Sequence, residues 1–149
     1  MAKIDIRPFK VTQHIEELTR LAQAHWLENG EHKLAAEGPR IVVETYAVME
    51  QAGYDVVLGA FDGEVMVGYC VVFLMPHPHY GCLFAQHDVL FVAQEYRDSS
   101  VGLRLFREMR KTLQERSPQF VLWHAKPGSA FEKILQHARC VVEEVIYRE

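Results

Sequence analysis

The sequence has few of the features that mark several large classes of protein. Its three cysteines, Cys70, Cys82 and Cys140, are widely spaced and odd in number, so we expect neither a disulfide framework nor a CxxC metal site. Free thiols in a reducing cytoplasm are the simpler interpretation. No stretch approaches the roughly 18 apolar residues of a membrane span, and the N-terminus lacks the apolar middle of a signal peptide. The sequence therefore predicts a cytoplasmic protein with no membrane partner.

Positive charge is also scarce. The 149 residues include 16 Lys and Arg against 20 Asp and Glu, a formal net charge of -4. Because nucleic-acid-binding proteins usually present a basic face, we expect no nucleic-acid partner. There is no Gly-Lys-Ser/Thr motif to place a lysine and a magnesium ligand on phosphates, which argues against nucleotide hydrolysis. The remaining composition, 49% hydrophobic and 24% charged, is typical of one globular domain over residues 1–149.

Hydrophobic patterning predicts the element order β-α-α-β-β-β-α-β-α-β. Helices are expected to begin at Val11-Thr12, at Pro39, at Val101 and after Ser129, with Gly53 ending the second. Asp62-Gly63 predicts a hairpin turn. The order indicates an α+β fold with helices on both faces of a mixed, mostly antiparallel sheet of about six strands. The predicted strands are residues 3–8, 54–61, 64–75, 82–92, 120–124 and 141–147.

One stretch has an arrangement suited to holding a phosphate. Residues 88–110, DVLFVAQEYRDSSVGLRLFREMR, read as a short apolar strand, a polar turn and an amphipathic helix. Such a strand–turn–helix directs several backbone N–H groups and the positive end of the helix dipole at one point. A phosphate-bearing cofactor is therefore expected at this turn.

This stretch and the element order together resemble the GNAT superfamily of acyl-CoA-dependent N-acetyltransferases. The family signature is Arg or Gln, two variable residues, Gly, one variable residue, and Gly or Ala; here it reads RDSSVG, from Arg97 to Gly102. Ser100 replaces the first glycine, which the turn tolerates if the φ angle of Ser100 is negative. Residues 82–109, followed by LWHAKPGS, look most like a GNAT subgroup often found in phages and prophages.

The resemblance implies that acetyl-CoA is the co-substrate and that no metal is needed. In the family the fourth strand splays from the fifth and pairs with the pantetheine arm, which here points to Leu90, Phe91 and Val92. A coenzyme-contacting Asn often follows the fifth strand, and Ser129 lies near that position. The turn that would wrap the pyrophosphate consists of Arg97, Asp98, Ser99, Ser100, Val101, Gly102 and Leu103.

Two neighbouring residues of the fourth strand are candidates for the catalytic base. The family usually supplies a general base from the fourth strand, which here suggests His87, which titrates near neutrality, or Asp88. Neighbouring strand residues face opposite ways, so only one of the two can point at the acyl group, and an ordinary structural role explains either equally well. The family's thiolate-protonating tyrosine falls near Leu135. Water or another donor would replace it: Tyr80, His124 or Tyr147.

The acceptor site is expected near two loops. The stretch MPHPHY, residues 75–80, lies between the third and fourth strands, and we predict His79 and Tyr80 as acceptor-site residues, with a Pro-rich turn as the alternative. A metal at His77 and His79 lacks further ligands at a recognisable spacing. Trp26 and the loop 28–38 would form the other wall, although its acidic residues are more simply those of a solvated loop.

The sequence thus predicts direct acetyl transfer to a primary amine on a small molecule or peptide. No basic partner is arranged to make Cys70 or Cys82 a thiolate, which argues against a cysteine intermediate. The alternative is a non-catalytic acyl-CoA-binding regulatory protein on the same fold. Family members usually end in a helix, a strand, a loop and a strand, whereas residues 140–149 suffice for one strand. We therefore expect a homodimer in which a second subunit covers the sheet edge.

Overall fold

The fold is that of a computed structural model, which describes residues 3–29, 37–97 and 99–149. These ranges form five strands and four α-helices, with 3₁₀ turns at Val11–Gln13 and Gln94–Tyr96. In chain order the elements are β1 (Asp5–Pro8), α1 (Ile15–Asn29), α2 (Val43–Ala52), β2 (Asp55–Asp62), β3 (Val65–Pro76), β4 (Leu83–Val92), α3 (Val101–Arg116), β5 (Phe120–Leu122) and α4 (Ala130–His137).

The strands form one sheet in sequence order. β1 to β4 are antiparallel neighbours, and β5 joins β4 in parallel after the crossover through α3. β3 lies in the middle, and its residues 66–72 are all buried. A strand covered on both faces needs apolar residues at successive positions, which explains the unbroken hydrophobic run in this part of the sequence.

Each face of the sheet carries its own hydrophobic core. On the first, here called the α3 face, Leu105 and Met109 of α3 pack against alternate strand residues such as Cys70. On the second, the α1 face, Leu18 and Leu21 of α1 pack against the intervening ones. The amphipathic character predicted for this helix is confirmed, because Val101, Leu105, Phe106 and Met109 are all buried.

The expectation of about six strands is wrong, because residues 141–147 form none. This segment has no regular structure, and its apolar side chains are exposed, with Val142 at 85% and Tyr147 at 88%. Apolar residues in alternation favour a strand only where a neighbouring strand offers backbone hydrogen bonds. No strand of the described chain takes that position beyond β5.

Two predicted helix starts were placed too early. Thr12 does not begin α1: its hydroxyl donates to the Glu50 carboxylate at 2.7 Å and its N–H donates to the same group at 3.2 Å. The side chain therefore ties the first helix region to α2. Pro39 lies before α2, which begins at Val43, whereas Gly53 ends that helix in the left-handed conformation as predicted, with φ 70°.

Replacing Leu105 should show how strongly α3 is held to the sheet. Leu105 is fully buried at 0% exposure, so Leu105→Ala should lower the free energy of unfolding by about 2–5 kcal/mol through lost burial and the cavity left behind. The matched control is Leu27→Ala, because Leu27 is 65% exposed. Urea denaturation of both variants measures the difference. Equal losses would contradict the described packing.

Candidate functional site

The most distinctive feature of the sheet is the early end of the β4–β5 pairing. β5 pairs only with Phe84, Ala85 and Gln86, although β4 continues to Val92. Within the described residues, the edge of β4 from His87 to Val92 therefore carries no strand on its β5 side. Such an edge offers backbone N–H and C=O groups to an extended ligand.

His87 lies where the two strands separate. Its Nδ1 accepts a hydrogen bond from the backbone N–H of His124 at 3.3 Å, two residues beyond the last paired residue of β5. The imidazole thereby takes a backbone donor that a continuing ladder would give to a β4 carbonyl. The ring packs between Trp123 and Phe131, with centroid distances of 5.5 and 5.0 Å.

This environment keeps His87 neutral. Burial lowers the pKa of its imidazole to about 4, with His124 contributing in the same direction and backbone groups opposing it. With Nδ1 acting as acceptor, the proton lies on Nε2, which has no hydrogen-bond partner among the described residues. A base with so low a pKa removes protons poorly near neutral pH.

The turn after β4 leads directly into the start of α3. Ser100 has φ -75°, so the negative φ required for serine at this signature position is confirmed. In the described chain the Ser100 hydroxyl makes no capping hydrogen bond, and the first turn of α3 contains no acidic residue. The helix start therefore keeps its positive end and N–H groups for an anion.

Side chains around this turn hold it against the sheet and α1. The Arg97 guanidinium donates to the Val92 carbonyl at 2.8 Å and to the Glu28 carboxylate at 2.6 Å. The hydroxyl of Ser99 donates to the carbonyl of Tyr96. Arg97 thus fixes the turn through its side chain.

Gly102 leaves open space at the helix start. A Cβ at this position would have Val92 as its nearest neighbour, at an ordinary contact distance of 3.8 Å. The backbone conformation does not itself require glycine, because Gly102 is absent from the residues with positive φ. The missing side chain therefore allows a ligand to approach the helix start closely.

A β-bulge in β4 lies just before the free edge. The pairing with β3 passes from Val89 opposite Val71 to His87 opposite Val72, skipping Asp88. Bulges redirect side chains locally, and here the consecutive residues Asp88 and Val89 both line one cleft on the α1 face. His87 stands on the α3 face, since its partner Val72 belongs to that core.

The cleft lies between α1, β4 and the chain entering α2. Its volume is about 400 Å³, near the lower end of the range for small-molecule sites. Burial raises the pKa of Tyr46 to about 12, and the charge of Asp88 adds to the effect. The lining residues are mostly apolar or aromatic: Leu18, Ala22, His25, Trp26, Pro39, Ile41, Tyr46, Tyr69, Asp88 and Val89.

Comparison with solved structures identifies the architecture. No family model and no curated protein matches the sequence. A ribosomal-protein-alanine N-acetyltransferase from Brucella melitensis biovar Abortus 2308 matches with TM-score 0.69 and 17% identity, over 98% of this chain and 96% of its own. AAC(6')-Iy in complex with the bisubstrate analogue CoA-S-monomethyl-acetylneamine matches with TM-score 0.70 and 17% identity, over 99% and 97%. The chain has the GNAT fold of these acetyltransferases.

One structural neighbour with this fold carries a different description. A transcriptional regulator from Bacillus halodurans C-125 matches with TM-score 0.77 and 16% identity, over 99% of both chains. At such low identity these likenesses show the GNAT fold alone. Nothing in them supports the narrower phage and prophage subgroup.

The GNAT fold brings together some of the predicted site residues and separates others. Trp26 and Asp88 share the cleft. His79 and Tyr80 lie outside its lining, on the β3–β4 turn, with Tyr80 74% exposed. That turn is roughly 20 Å along β4 from Asp88, at about 3.3 Å per residue.

The predicted cofactor contacts outside the turn lie in different parts of the fold. Leu90, Phe91 and Val92 lie on the free edge of β4. Ser129 accepts a hydrogen bond from the Glu132 N–H and so caps α4. Asp98 and residues 30–36 of the predicted loop 28–38 lie outside the described residues.

Sequence reasoning missed three cleft residues with aromatic rings. They are His25, Tyr46 and Tyr69. The spacing of Leu18, Ala22 and His25 follows one side of a helix, which is a signal that could have placed His25 beside Trp26. Tyr69 gave no comparable signal, because every position of a strand buried on both faces is apolar.

In the described part of the chain, no cluster of acidic, His and Cys residues could hold a metal, and no helix is long and apolar enough to cross a membrane.

The neutral His87 should make stability depend on pH. Its pKa is about 4 in the folded chain and about 6.5 when unfolded, so the unfolded chain binds the extra proton between these values. The free energy of unfolding should therefore fall by about 1.6 kcal/mol from pH 6.5 to pH 5 through this group.

Urea denaturation across that pH range tests the expectation. His87→Gln should lose this part of the pH dependence, whereas His137→Gln, at an exposed histidine, should keep it. Parallel curves for the wild-type chain and His87→Gln would show that His87 takes up its proton as readily when folded as when unfolded.

Proposed function

We propose that this chain is an N-acetyltransferase that moves an acetyl group from acetyl-CoA directly to a primary amine. The observation that carries the proposal is the free edge of β4 beside the start of α3, where N–H groups and the helix dipole favour an anion. The structural neighbour bound to a CoA bisubstrate analogue supports coenzyme A as the ligand.

The two parts of the free edge suit different parts of the coenzyme. Backbone groups at Leu90, Phe91 and Val92 would pair with the amides of the pantetheine arm as an added strand would, except the Val92 carbonyl, which accepts from Arg97. The N–H groups of residues 97–103 would hold the pyrophosphate. Support comes from the continuous course of the chain, because Val92 is followed within nine residues by the start of α3.

The acceptor amine would enter from the cleft. Val89 both lines the cleft and adjoins Leu90, so an amine there lies next to a thioester held on the free edge. The ammonium group first gives a proton to water, and the neutral nitrogen then attacks the thioester carbon. The C–N bond forms, the C–S bond breaks, and the second proton lost by the nitrogen passes through water to the leaving thiolate. Of the two predicted bases, Asp88 faces this cleft and His87 does not.

The protonation of the Cys70 thiol favours direct transfer over a covalent intermediate on this cysteine. Burial raises the pKa of the Cys70 thiol above its usual range, and the charge of Asp88 adds to the shift. A thiol held in its protonated form is a poor nucleophile.

A non-catalytic acyl-CoA-binding regulator is the second candidate. It is favoured by the apolar Leu135, which is buried in α4 near where the family carries its tyrosine, and by the structural neighbour described as a transcriptional regulator. The two candidates share the coenzyme site and differ only in turnover.

The coenzyme site can be tested with Gly102→Glu. The substitution adds bulk and negative charge at the start of α3, so the affinity for acetyl-CoA should fall at least tenfold, about 1.4 kcal/mol, in titration calorimetry. Gln114→Glu is the matched control, because it adds one negative charge to an exposed position of the same helix. Unchanged affinity in Gly102→Glu would overturn the site assignment.

Turnover separates the two candidates. The protein is incubated with acetyl-CoA and a mixture of primary amines, and release of free thiol is followed. Thiol release that depends on an amine supports the transferase, whereas calorimetric binding of acetyl-CoA without release supports the regulator. Absence of both would leave the fold without either function.

We also propose a homodimer, in the cytoplasm, formed across the outer edge of β5. The described sheet ends at β5, and the exposed Val141, Val145 and Ile146 could pair there with a second subunit. Sedimentation at micromolar concentration should give a dimer that Val145→Asp weakens and Glu143→Asp does not. A monomeric wild-type chain would contradict the proposal.

A further inference from the structure

The walls of the cleft have a composition that favours one class of amine. Trp26 comes from α1, Tyr46 from α2 and Tyr69 from β3, so aromatic rings contribute from three different elements. Aromatic faces attract both apolar groups and cations. The cleft is therefore suited to a ligand that carries a ring or an apolar body.

Negative charge in the described lining is confined to one group. Asp88 is the single carboxylate among the ten lining residues, and none of them is Lys or Arg. Its charge acts on the cleft, because it helps to raise the pKa of Tyr46. One carboxylate beside aromatic walls can balance one ammonium group.

A second ammonium group would be poorly accommodated on these walls. Taking a charge out of water into an apolar site costs free energy unless an opposite charge or hydrogen bonds compensate it. Glu28, two residues after the lining residue Trp26 in α1, forms an ion pair with Arg97 at 2.6 Å. A polycation would therefore leave charges without a counterpart in the described cleft.

We propose that the acceptor is a monoamine whose single ammonium group is attached to an aromatic or apolar body, with 2-phenylethylamine as the simplest representative. The amino group lies beside Asp88 and the ring lies among Trp26, Tyr46 and Tyr69. This inference rests on the proposed function, since it names the amine that the same site would acetylate.

The bulge supplies the geometric reason for this orientation. Because Asp88 and Val89 both face the cleft, the carboxylate lies two residues before Leu90, where the thioester would be held. The ammonium group is thus drawn to the reacting end of the cleft. The ring then extends toward α1 and α2, away from that edge.

Four probes separate the contributions of ring and charge. 2-Phenylethylamine has both, 2-phenylethanol has the ring alone, propylamine has the charge alone, and spermidine has several charges. Calorimetry with each probe measures binding, and thiol release with acetyl-CoA measures kcat/KM for the three amines. 2-Phenylethylamine should bind at least tenfold more tightly than any other probe and should have at least tenfold the kcat/KM of the other amines.

Two variants assign the preference to residues. Asp88→Asn should remove the advantage of 2-phenylethylamine over 2-phenylethanol, and Trp26→Ala should remove most of its advantage over propylamine. Glu115→Gln, a neutralised carboxylate on the exposed side of α3, serves as control and should change neither.

The outcomes distinguish this inference from the proposed function. If acetyl-CoA fails to bind, both fall. If acetyl-CoA binds but spermidine or propylamine equals or exceeds 2-phenylethylamine, or no amine binds, the acceptor inference is overturned while the coenzyme site stands. A preference that survives both Asp88→Asn and Trp26→Ala would also overturn it, because the amine would then occupy another site.

Discussion

The candidate site depends on the separation of β4 from β5. The backbone N–H of His124 donates to the imidazole of His87 where the two strands separate. Up to Gln86 the two parallel strands pair in the ordinary way, and beyond it they diverge. An imidazole among Trp123 and Phe131 is too large to let the strands close again. The divergence leaves the last part of β4 without a described strand on its β5 side, and the other features of the site lie along that edge.

The two faces of the sheet present chemically different surfaces. The α3 face carries the helix start that favours an anion, and the α1 face carries the aromatic cleft with Asp88. β4 is the element common to both. A small chain can in this way bring two chemically unlike ligands to one strand without mixing their binding surfaces, since polar and apolar contacts come from opposite sides.

The sequence was informative where local chemistry decides structure. The strand, turn and helix from β4 to Arg116 follow from periodicity and small residues, and Gly53 ends its helix as predicted. It was less informative where tertiary partners decide: Thr12 binds Glu50 instead of capping a helix, and residues 141–147 have the pattern of a strand without a described neighbour to pair with. The cleft was the hardest part, because it depends on which residues of three separate elements face one another.

The bulge at Asp88 has an effect on every residue that follows it in β4. Ala85 and His87 lie on the α3 face, and strict alternation would put Val89 and Phe91 there too. One extra residue inverts this parity, so Phe91 turns to the α1 face, where its ring stacks on His25 at 4.9 Å. Removing a single residue at this point would exchange the inward and outward sets of side chains along the whole free edge. The one extra residue in β4 thus determines which side chains each ligand would meet.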